Sequence, residues 1–348
     1  MVQKFGEIYP SAPIFTALYD RDQVGRWFEG KEIVTSFLQK FPGAINRHRM
    51  FMPFYSLAFE SFDLRGYDLV LSSHHLAAKS IITTADTCHV CFVHTPMRFA
   101  WEFFPEYIQT FGVLMRPFMR LFFHYFRMMD VSTANRVDYF IANSQNTANR
   151  IWKHYRREST VINSPVLAKN FHIAQRTGDY YLTVSRLVPY KRIDLAVEAV
   201  DRLDEKLVIV GKGPEMKRLK AMAGPNIEFT GFRTDEELAK LYAECRAFIF
   251  PGEEDFGLTP LEAQASGRPV IAYRAGGALE TVVEGKTGAF FDEQTPESLA
   301  AAVRGFDPDG PDPAAVRAHA ERFDEEPFKK KIEEFAAEKY ECFKRERR

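Results

Sequence analysis

Short apolar runs recur along the chain, and longer stretches with a helical pattern of apolar residues separate them. The runs predict β-strands, because each is short and bounded by polar or turn residues. The predicted strands are residues 68–72, 89–93, 138–143, 180–185, 206–210, 227–230, 247–251, 270–273 and 289–291. Strands that alternate with helices are typical of parallel sheets with crossover helices, so we predict an α/β fold.

The stretch P-G-E-E-D-F-G-L-T-P-L-E, residues 251–262, follows a predicted strand and opens a helix. A glycine turn before a helix N-terminus binds anions, because backbone N–H groups and the helix dipole point at the ligand. Glu254 and Glu262 add two carboxylates, which suit a ligand that carries hydroxyl groups beside its phosphates, such as a nucleotide-sugar. The alternative is a capping box, in which Thr259 is the N-cap and Glu262 only satisfies its own helix.

Two cations follow the predicted strand 180–185, namely Arg186 and Lys191. Open α/β sheets bind ligands at the carboxyl ends of their strands. A nucleoside diphosphate that leaves a sugar needs positive charge there, because negative charge builds on the phosphate as the bond breaks. The alternative is a solvated turn. The presence of both motifs in one half of the chain favours the diphosphate site.

With these motifs the chain resembles glycosyltransferase family 4, the retaining enzymes of GT-B fold. The matching segments are S-R-L-x-x-x-K (185–191), V-G-K-G-P-E (210–215), F-T-G-F-R (229–233), E-D-F-G-L-T-P-L-E-A (254–263), G-R-P-V-I-A-Y-R-A-G-G-A-L-E (267–280) and E-G-K-T-G (284–288). In the first half, C-F-V-H-T-P-M-R-F-A-W (91–101) and R-V-D-Y-F-I-A-N-S (136–144) are similar to mannosyltransferases that build lipopolysaccharide O-antigen and related polysaccharides.

The resemblance implies two Rossmann-like, doubly wound domains that face a central cleft. Residues 1–165 are expected to form the acceptor-side domain, and residues 166–325 the nucleotide-sugar-binding domain. Residues 326–348 are expected to form a helix that packs back on the first domain. Family members begin with a strand and a glycine-rich loop, and residues 1–10 resemble the end of the helix that follows. We therefore expect the first domain to lack that strand, which leaves two unpaired sheet edges.

The resemblance also implies roles for single residues. Arg186 and Lys191 are expected to hold the donor diphosphate. Glu262 is expected to bind the ribose hydroxyls, and Glu254 the hydroxyls of the transferred sugar. His94 is expected to face that sugar, although a lone histidine after an apolar strand is more often structural. Further donor contacts are expected from Gly211, Gly213, Phe232, Gly257, Leu258 and Thr259.

The implied reaction moves a hexose to a hydroxyl of a saccharide or of a lipid-diphosphate-linked acceptor, in the synthesis of cell-surface polysaccharide. GDP-mannose is the expected donor on the resemblance alone, since the residues themselves do not distinguish guanine from uracil. The donor's phosphate is expected to take the proton, so neither a protein nucleophile nor a cofactor is needed.

Two other functional classes stay open. The first is a weakly active or inactive nucleotide-sugar-binding protein. The second is a transferase that holds Mn²⁺ on the diphosphate, which Asp20-x-Asp22 and Asp307-x-Asp309 suggest. Such short matches are frequent by chance, and neither lies beside the phosphate motifs, so we expect no metal.

Composition limits the partners. The formal net charge of −1 argues against nucleic acid bound by bulk charge. Four cysteines in 348 residues favour a reducing compartment, here the cytoplasm. No apolar run has membrane-spanning length. Cys88 and Cys91 form a C-x-x-C on an alternating strand, which turns successive side chains to opposite faces, so a structural zinc site is not expected.

One helix indicates peripheral membrane contact. From residue 116 onward, basic residues recur on one face (Arg116, Arg120, His124 and Arg127), and the neighbouring stripe is formed by Phe118, Phe122, Tyr125 and Met129. A basic, aromatic helix is typical of a surface for anionic lipids or a lipid diphosphate. We therefore expect Arg116, Arg120 and Arg127 to meet the inner face of the membrane. The alternative is that the aromatic residues pack into the first domain.

Overall fold

The computed structural model describes residues 1–346. Its contacts divide the chain into two compact units, one of Met1–Ile162 with the residues from Lys329 onward, and one of Asn163–Phe328. The boundary after Ile162 lies next to the Asn-Ser-Pro-Val segment at 163–166, where we placed the joint. The last helix begins in the second unit and ends in the first.

The first unit alternates helices and strands. Its elements are α1 (Val2–Ile8), β1 (Ile14–Thr16), α2 (Arg21–Val24), β2 (Ile33–Thr35), α3 (Tyr55–Glu60), β3 (Leu69–His74), β4 (Cys88–Val93), α4 (Phe104–Gln109), α5 (Arg116–Ala134), β5 (Tyr139–Ala142), α6 (Gln145–Tyr155) and β6 (Ser159–Val161). Strands β3, β4, β5 and β6 form a parallel sheet in that order, and β1 and β2 form a separate parallel pair.

Within residues 1–346, β1 pairs only with β2, and β3 pairs on one side only, with β4. Both of these edges line an apolar cavity of about 730 Å³. All three residues of β1 are half-buried, and so are four of the six residues of β3, whereas every residue of β4 is buried. The core of the first unit is therefore centred on β4, and the edges of β1 and β3 are less protected.

A buried polar network fixes α5 to this unit. The carboxylate of Asp130 accepts hydrogen bonds from Lys79 Nζ at 2.6 Å, Trp101 Nε1 at 2.8 Å and Tyr155 Oη at 2.9 Å. Lys79 and Asp130 are fully buried, so each charge needs the other. The three donors lie on separate segments, and the sequence pattern did not predict this network. It holds one face of α5 against these three segments.

The second unit contains a six-stranded parallel sheet. Its elements are β7 (Tyr180–Val184), α7 (Ile193–Asp201), β8 (Lys206–Val210), α8 (Met216–Met222), β9 (Ile227–Gly231), α9 (Asp235–Glu244), β10 (Phe248–Phe250), α10 (Leu258–Ala265), β11 (Val270–Tyr273), α11 (Ala278–Thr281), β12 (Gly288–Phe291), α12 (Pro296–Gly305) and α13 (Pro313–Glu321), followed by α14 (Glu325–Glu346). The predicted α/β class is confirmed.

The strand order of this sheet is β12-β11-β10-β7-β8-β9. The chain moves outward from β7 through β8 to β9, and then returns to the other side of β7 to build β10, β11 and β12. The order therefore reverses between β7 and β10. In open parallel sheets the crevice at such a reversal, outside the carboxyl ends of the strands, is where ligands bind.

Candidate active site

The loops that follow β7 and β8 are packed backbone to backbone beside this reversal. Ser185 N–H donates to Val210 O at 3.0 Å, and Leu187 N–H donates to Lys212 O at 3.0 Å. Gly211 has φ +139°, and a Cβ there would lie 1.8 Å from Ser185 O. Only glycine fits this position, and its fit brings the two loops together.

The loop after β10 is held between two neighbouring loops. On one side, a Cβ at Gly252 would lie 2.8 Å from Lys191 O. On the other side, Gly277 N–H donates to Glu254 O at 2.9 Å, and a Cβ at Gly276, with φ +60°, would lie 2.3 Å from that same oxygen. The backbone of Glu254 is therefore fixed by its neighbours. From the sequence, Gly276 and Gly277 were recognised only as part of the family motif at 267–280.

The structure brings Lys191 and Glu254 into direct contact. Lys191 ends a short 3₁₀ helix, Pro189–Lys191, and its Nζ forms an ion pair with the Glu254 carboxylate. The two side chains are only 16% and 19% exposed. The motifs assign Lys191 to the diphosphate and Glu254 to the sugar of one donor, and they did not predict that the two side chains pair.

Arg186 differs from Lys191 in its surroundings. It lies at the carboxyl end of β7, it is exposed, and its side chain forms no hydrogen bond or ion pair with any residue in the described range 1–346. Its guanidinium is therefore available to an anion at the mouth of the crevice, without a protein partner to displace.

Helix α10 begins at Leu258, which excludes the alternative of a capping box at Thr259. The N-cap is Gly257, with φ +84°, and no side chain caps the helix. Thr259 lies inside the first turn instead. The first backbone N–H groups of a helix have no acceptor within it, so Gly257, Leu258 and Thr259 present donors and the positive end of the helix dipole.

Glu262 has a partner outside its own helix. Its carboxylate accepts a hydrogen bond from Tyr242 Oη of α9 at 2.8 Å. Burial raises the pKa of the Glu262 carboxyl. Tyr242 is fully buried, so it fixes the position of the carboxylate. This role of Tyr242 was not predicted from the sequence, because no motif marks a tyrosine twenty residues upstream on a different helix.

The loops after β8 and β9 present an exposed aromatic ring. Phe232 follows β9 and is 73% exposed, and Lys212 Nζ lies 5.9 Å from its ring centroid. A Cβ at Gly213, in the loop after β8, would lie 2.1 Å from Leu187 O, so the loop after β8 packs closely on the loop after β7. An exposed ring of this kind can stack on a nucleotide base.

His94 belongs to the first unit, whereas the other predicted site residues belong to the second. It follows β4, and its Nε2 lies 2.9 Å from Ser73 Oγ. Burial, with smaller contributions from His75 and the chain's amino group, lowers the pKa of His94 to about 4. The ring is therefore neutral at pH 7, and it can exchange hydrogen bonds but not supply a charge.

The aspartates of the two D-x-D matches serve their own loops. Asp20 caps α2 by accepting from Asp22 N–H and Gln23 N–H, and Asp307 accepts from Asp309 N–H at 3.1 Å. In the described part of the chain, residues 1–346, no group of three or more His, Cys, Asp or Glu side chains is placed to hold a metal ion.

Comparisons with known proteins match both units. A family model described as glycosyltransferase family 4 matches residues 14–166, and one described as glycosyl transferases group 1 matches residues 168–323. A GDP-mannose-dependent alpha-mannosyltransferase of Corynebacterium glutamicum is 44% identical over 110 residues, which is 31% of this chain and 26% of that protein. A GDP-mannose-dependent alpha-(1-6)-phosphatidylinositol monomannoside mannosyltransferase of Mycolicibacterium smegmatis is 37% identical over 138 residues, 34% of this chain and 36% of that protein.

These matches span about a quarter and about a third of the length of the two relatives. Among solved structures, the sucrose-phosphate synthase of Thermosynechococcus elongatus aligns with a TM-score of 0.75 and 19% identity, over 98% of this chain and 93% of that chain. At this identity the likeness concerns the fold alone.

Proposed function

The chain belongs to the GT-B glycosyltransferases of family 4, and from this membership we propose that it transfers a hexose from a nucleotide-sugar to an acceptor hydroxyl. One observation carries the proposal. The exposed cation Arg186, the Lys191–Glu254 pair and the open N-terminus of α10 converge at the carboxyl ends of β7 and β10. A diphosphate needs cations and backbone donors, and a sugar needs a carboxylate beside them.

In the proposed reaction, the bond between the sugar's anomeric carbon and the donor phosphate breaks, and its electron pair stays on the phosphate oxygen. Arg186, Lys191 and the amides that begin α10 stabilise that charge. The acceptor oxygen bonds to the same face of the anomeric carbon, so the configuration is retained. The acceptor's proton passes to the departing phosphate. Glu254 accepts hydrogen bonds from the sugar hydroxyls and orients the ring.

The remaining donor contacts follow from the same loops. We propose that Glu262, held by Tyr242, accepts hydrogen bonds from the ribose, and that Phe232 stacks on the base. GDP-mannose is the proposed donor, and its support is the GDP-mannose dependence of the two mannosyltransferases that match part of the chain. The fold itself does not select a donor, because a sucrose-phosphate synthase shares it.

We propose a saccharide or a lipid-diphosphate-linked saccharide as the acceptor, in the synthesis of cell-surface polysaccharide. His94 is proposed to act as a neutral hydrogen-bonding group toward the sugar, because its pKa lies well below 7. All four cysteines are free thiols, which suits a reducing compartment, and we propose the cytoplasm.

Thermal unfolding with GDP, UDP and ADP, one at a time, tests the donor site. A ligand present at a hundred times its dissociation constant stabilises a protein by about 2.7 kcal/mol, so the preferred diphosphate should raise the melting temperature clearly. GDP-mannose and UDP-glucose are then compared for release of the diphosphate, with and without a mannoside acceptor. No shift with any of the three diphosphates would contradict the proposed site.

A second function is a protein that binds nucleotide-sugars with little or no transfer. Two observations support it, namely the Lys191–Glu254 pair, in which the two charges neutralise each other, and the edges of β1 and β3 that pair with no strand among residues 1–346. The same assays separate the two functions. A thermal shift without diphosphate release, at any acceptor concentration, would support the binding protein.

A further inference from the structure

Helix α5 is apolar on two opposite faces. Its inner face buries Phe123, Phe126 and Met129 in the first unit. Its outer face carries large apolar side chains that are 51% to 88% exposed. We call these residues the outer stripe: Leu114, Phe118, Leu121, Tyr125 and Met128. Leu114 lies just before the helix, and the other four lie on it.

The spacing of the outer stripe is four, three, four and three residues, which places the side chains in one line along the helix. Large apolar faces of a helix are normally covered, and α5 has two of them. Here Asp130 and its partners hold the inner face, so the helix cannot turn to bury the outer one. A contiguous exposed apolar surface of this kind marks a site of interaction.

The charges beside the stripe indicate what covers it. Arg120 and His124 are exposed next to it, and the only acidic residue from 113 to 132 is Asp130, which is buried against Lys79. In a symmetric contact between two copies, these basic residues would meet without a nearby carboxylate from this helix. A bilayer with anionic lipids supplies both an apolar interior and negative charge.

We propose that the outer stripe and Arg120 dock on the surface of an anionic bilayer. Helix α5 has 19 residues and is about 28 Å long at 1.5 Å per residue, and it would lie flat in the interface. In the described range 1–346, no helix is long and apolar enough to cross a membrane. The outer stripe belongs to the first unit and the donor-site residues Arg186, Lys191 and Glu254 belong to the second, so the proposal does not depend on the transfer reaction.

The structure corrects the basic face that we predicted for this helix from the sequence. Arg116 Nε donates to Phe111 O at 3.1 Å. Arg127 Nη1 donates to Ala100 O at 2.9 Å, and its guanidinium lies 4.9 Å from the Phe104 ring centroid. These two arginines hold local structure, and of the three only Arg120 is exposed.

The aromatic stripe also needs correction. Phe122 and Met129, which we placed beside the basic face, pack in the interior cluster of the first unit. Phe118 and Tyr125 remain outside. Apolar residues therefore dominate the exposed surface, and Arg120 adds a charge at its side.

Co-sedimentation of the full chain with vesicles tests the proposal. Vesicles of phosphatidylcholine and phosphatidylglycerol in equal parts should pellet the wild-type chain, and vesicles of phosphatidylcholine alone should pellet much less. Replacing Phe118 and Leu121 together by Ser should weaken binding about tenfold or more, because the apolar contact is lost. Arg120→Ser should reduce the dependence of binding on salt, since exposed charges are screened within about 8 Å at physiological ionic strength.

The control replaces two similarly exposed apolar residues elsewhere, Trp152 and Leu279, which are 53% and 55% exposed, by Ser. It should pellet like the wild type. All variants are first compared by circular dichroism and thermal unfolding, and exposed positions should leave both unchanged. Equal pelleting of the Phe118/Leu121 variant and the wild type would overturn the proposal. So would a dimer that this variant abolishes, without lipid binding by the wild type, since a second copy would then cover the stripe.

Discussion

Replacing Arg186 and Lys191 by Ala, one at a time, separates the donor site from the stability of the fold. Arg186 is exposed and makes no side-chain bond within residues 1–346, so Arg186→Ala should change the free energy of unfolding by less than about 0.5 kcal/mol. Lys191→Ala removes the cation that faces Glu254 and leaves a carboxylate that is 19% exposed. Loss of one partner from a mostly buried ion pair costs about 1–3 kcal/mol.

Both substitutions should lower transfer. A charge-assisted hydrogen bond to a phosphate contributes about 1.5–3 kcal/mol, and each 1.4 kcal/mol is a factor of ten. We therefore expect kcat/KM to fall roughly 10- to 150-fold for each variant. Adding Glu254→Gln to Lys191→Ala should restore much of the lost stability, because the charge that Lys191 balanced is then removed as well, and it should not restore transfer.

The assay measures release of nucleoside diphosphate under initial-rate conditions, and urea unfolding of the same preparations gives the stability. Lys240→Ala is the control, because Lys240 is an exposed residue of α9 whose ion pair with Glu244, at 3.9 Å, is a surface one. Unchanged kcat/KM for Arg186→Ala, in a wild-type chain that is active, would refute the proposed role of the crevice.

Other predictions concern single residues. Glu262→Gln should weaken binding of the nucleoside diphosphate in calorimetry, whereas Glu254→Gln should spare that binding and lower turnover; equal effects would contradict separate roles. Gly211→Ala should cost about 2–4 kcal/mol in urea unfolding, because its Cβ would meet a backbone oxygen at 1.8 Å. His89 is buried, and burial lowers its pKa from 6.5 to about 4. The unfolded chain then binds more protons, so this histidine's stabilisation, about 3 kcal/mol, is present above about pH 6.5 and is lost as the pH falls to about 4. A free energy of unfolding that stays constant between about pH 6.5 and pH 4 would contradict this role of His89.

Most strands could be predicted because their apolar runs end at polar or glycine residues. β8 and β11 have the predicted bounds, and the other predicted strands differ only at their ends. β2 and β6 were not predicted, since each has three residues, none of which is buried. So short a segment shows no periodicity, and only its neighbour in the sheet makes it a strand.

The positions of Arg186 and Glu254 could also be predicted, because residues just after parallel strands collect at one edge of the sheet. Side-chain partners could not. The capping box that was the alternative for Glu262 does not form, because Gly257, with its positive φ, is the N-cap two residues before Thr259. The tyrosine that holds Glu262 lies on α9, and no local pattern relates the two helices.

The Lys191–Glu254 pair shows why the roles implied by the motifs differ from the contacts in the structure. The motifs give one residue to a phosphate and the other to a sugar, which describes an occupied site. Two opposite charges on adjacent loops lower their energy by pairing, particularly where water is partly excluded. In the proposed function, a diphosphate competes with Glu254 for Lys191. The Glu254 carboxylate is then no longer engaged by Lys191 and can accept hydrogen bonds from sugar hydroxyl groups. Binding of the diphosphate would thus prepare the carboxylate for the sugar that the same donor carries.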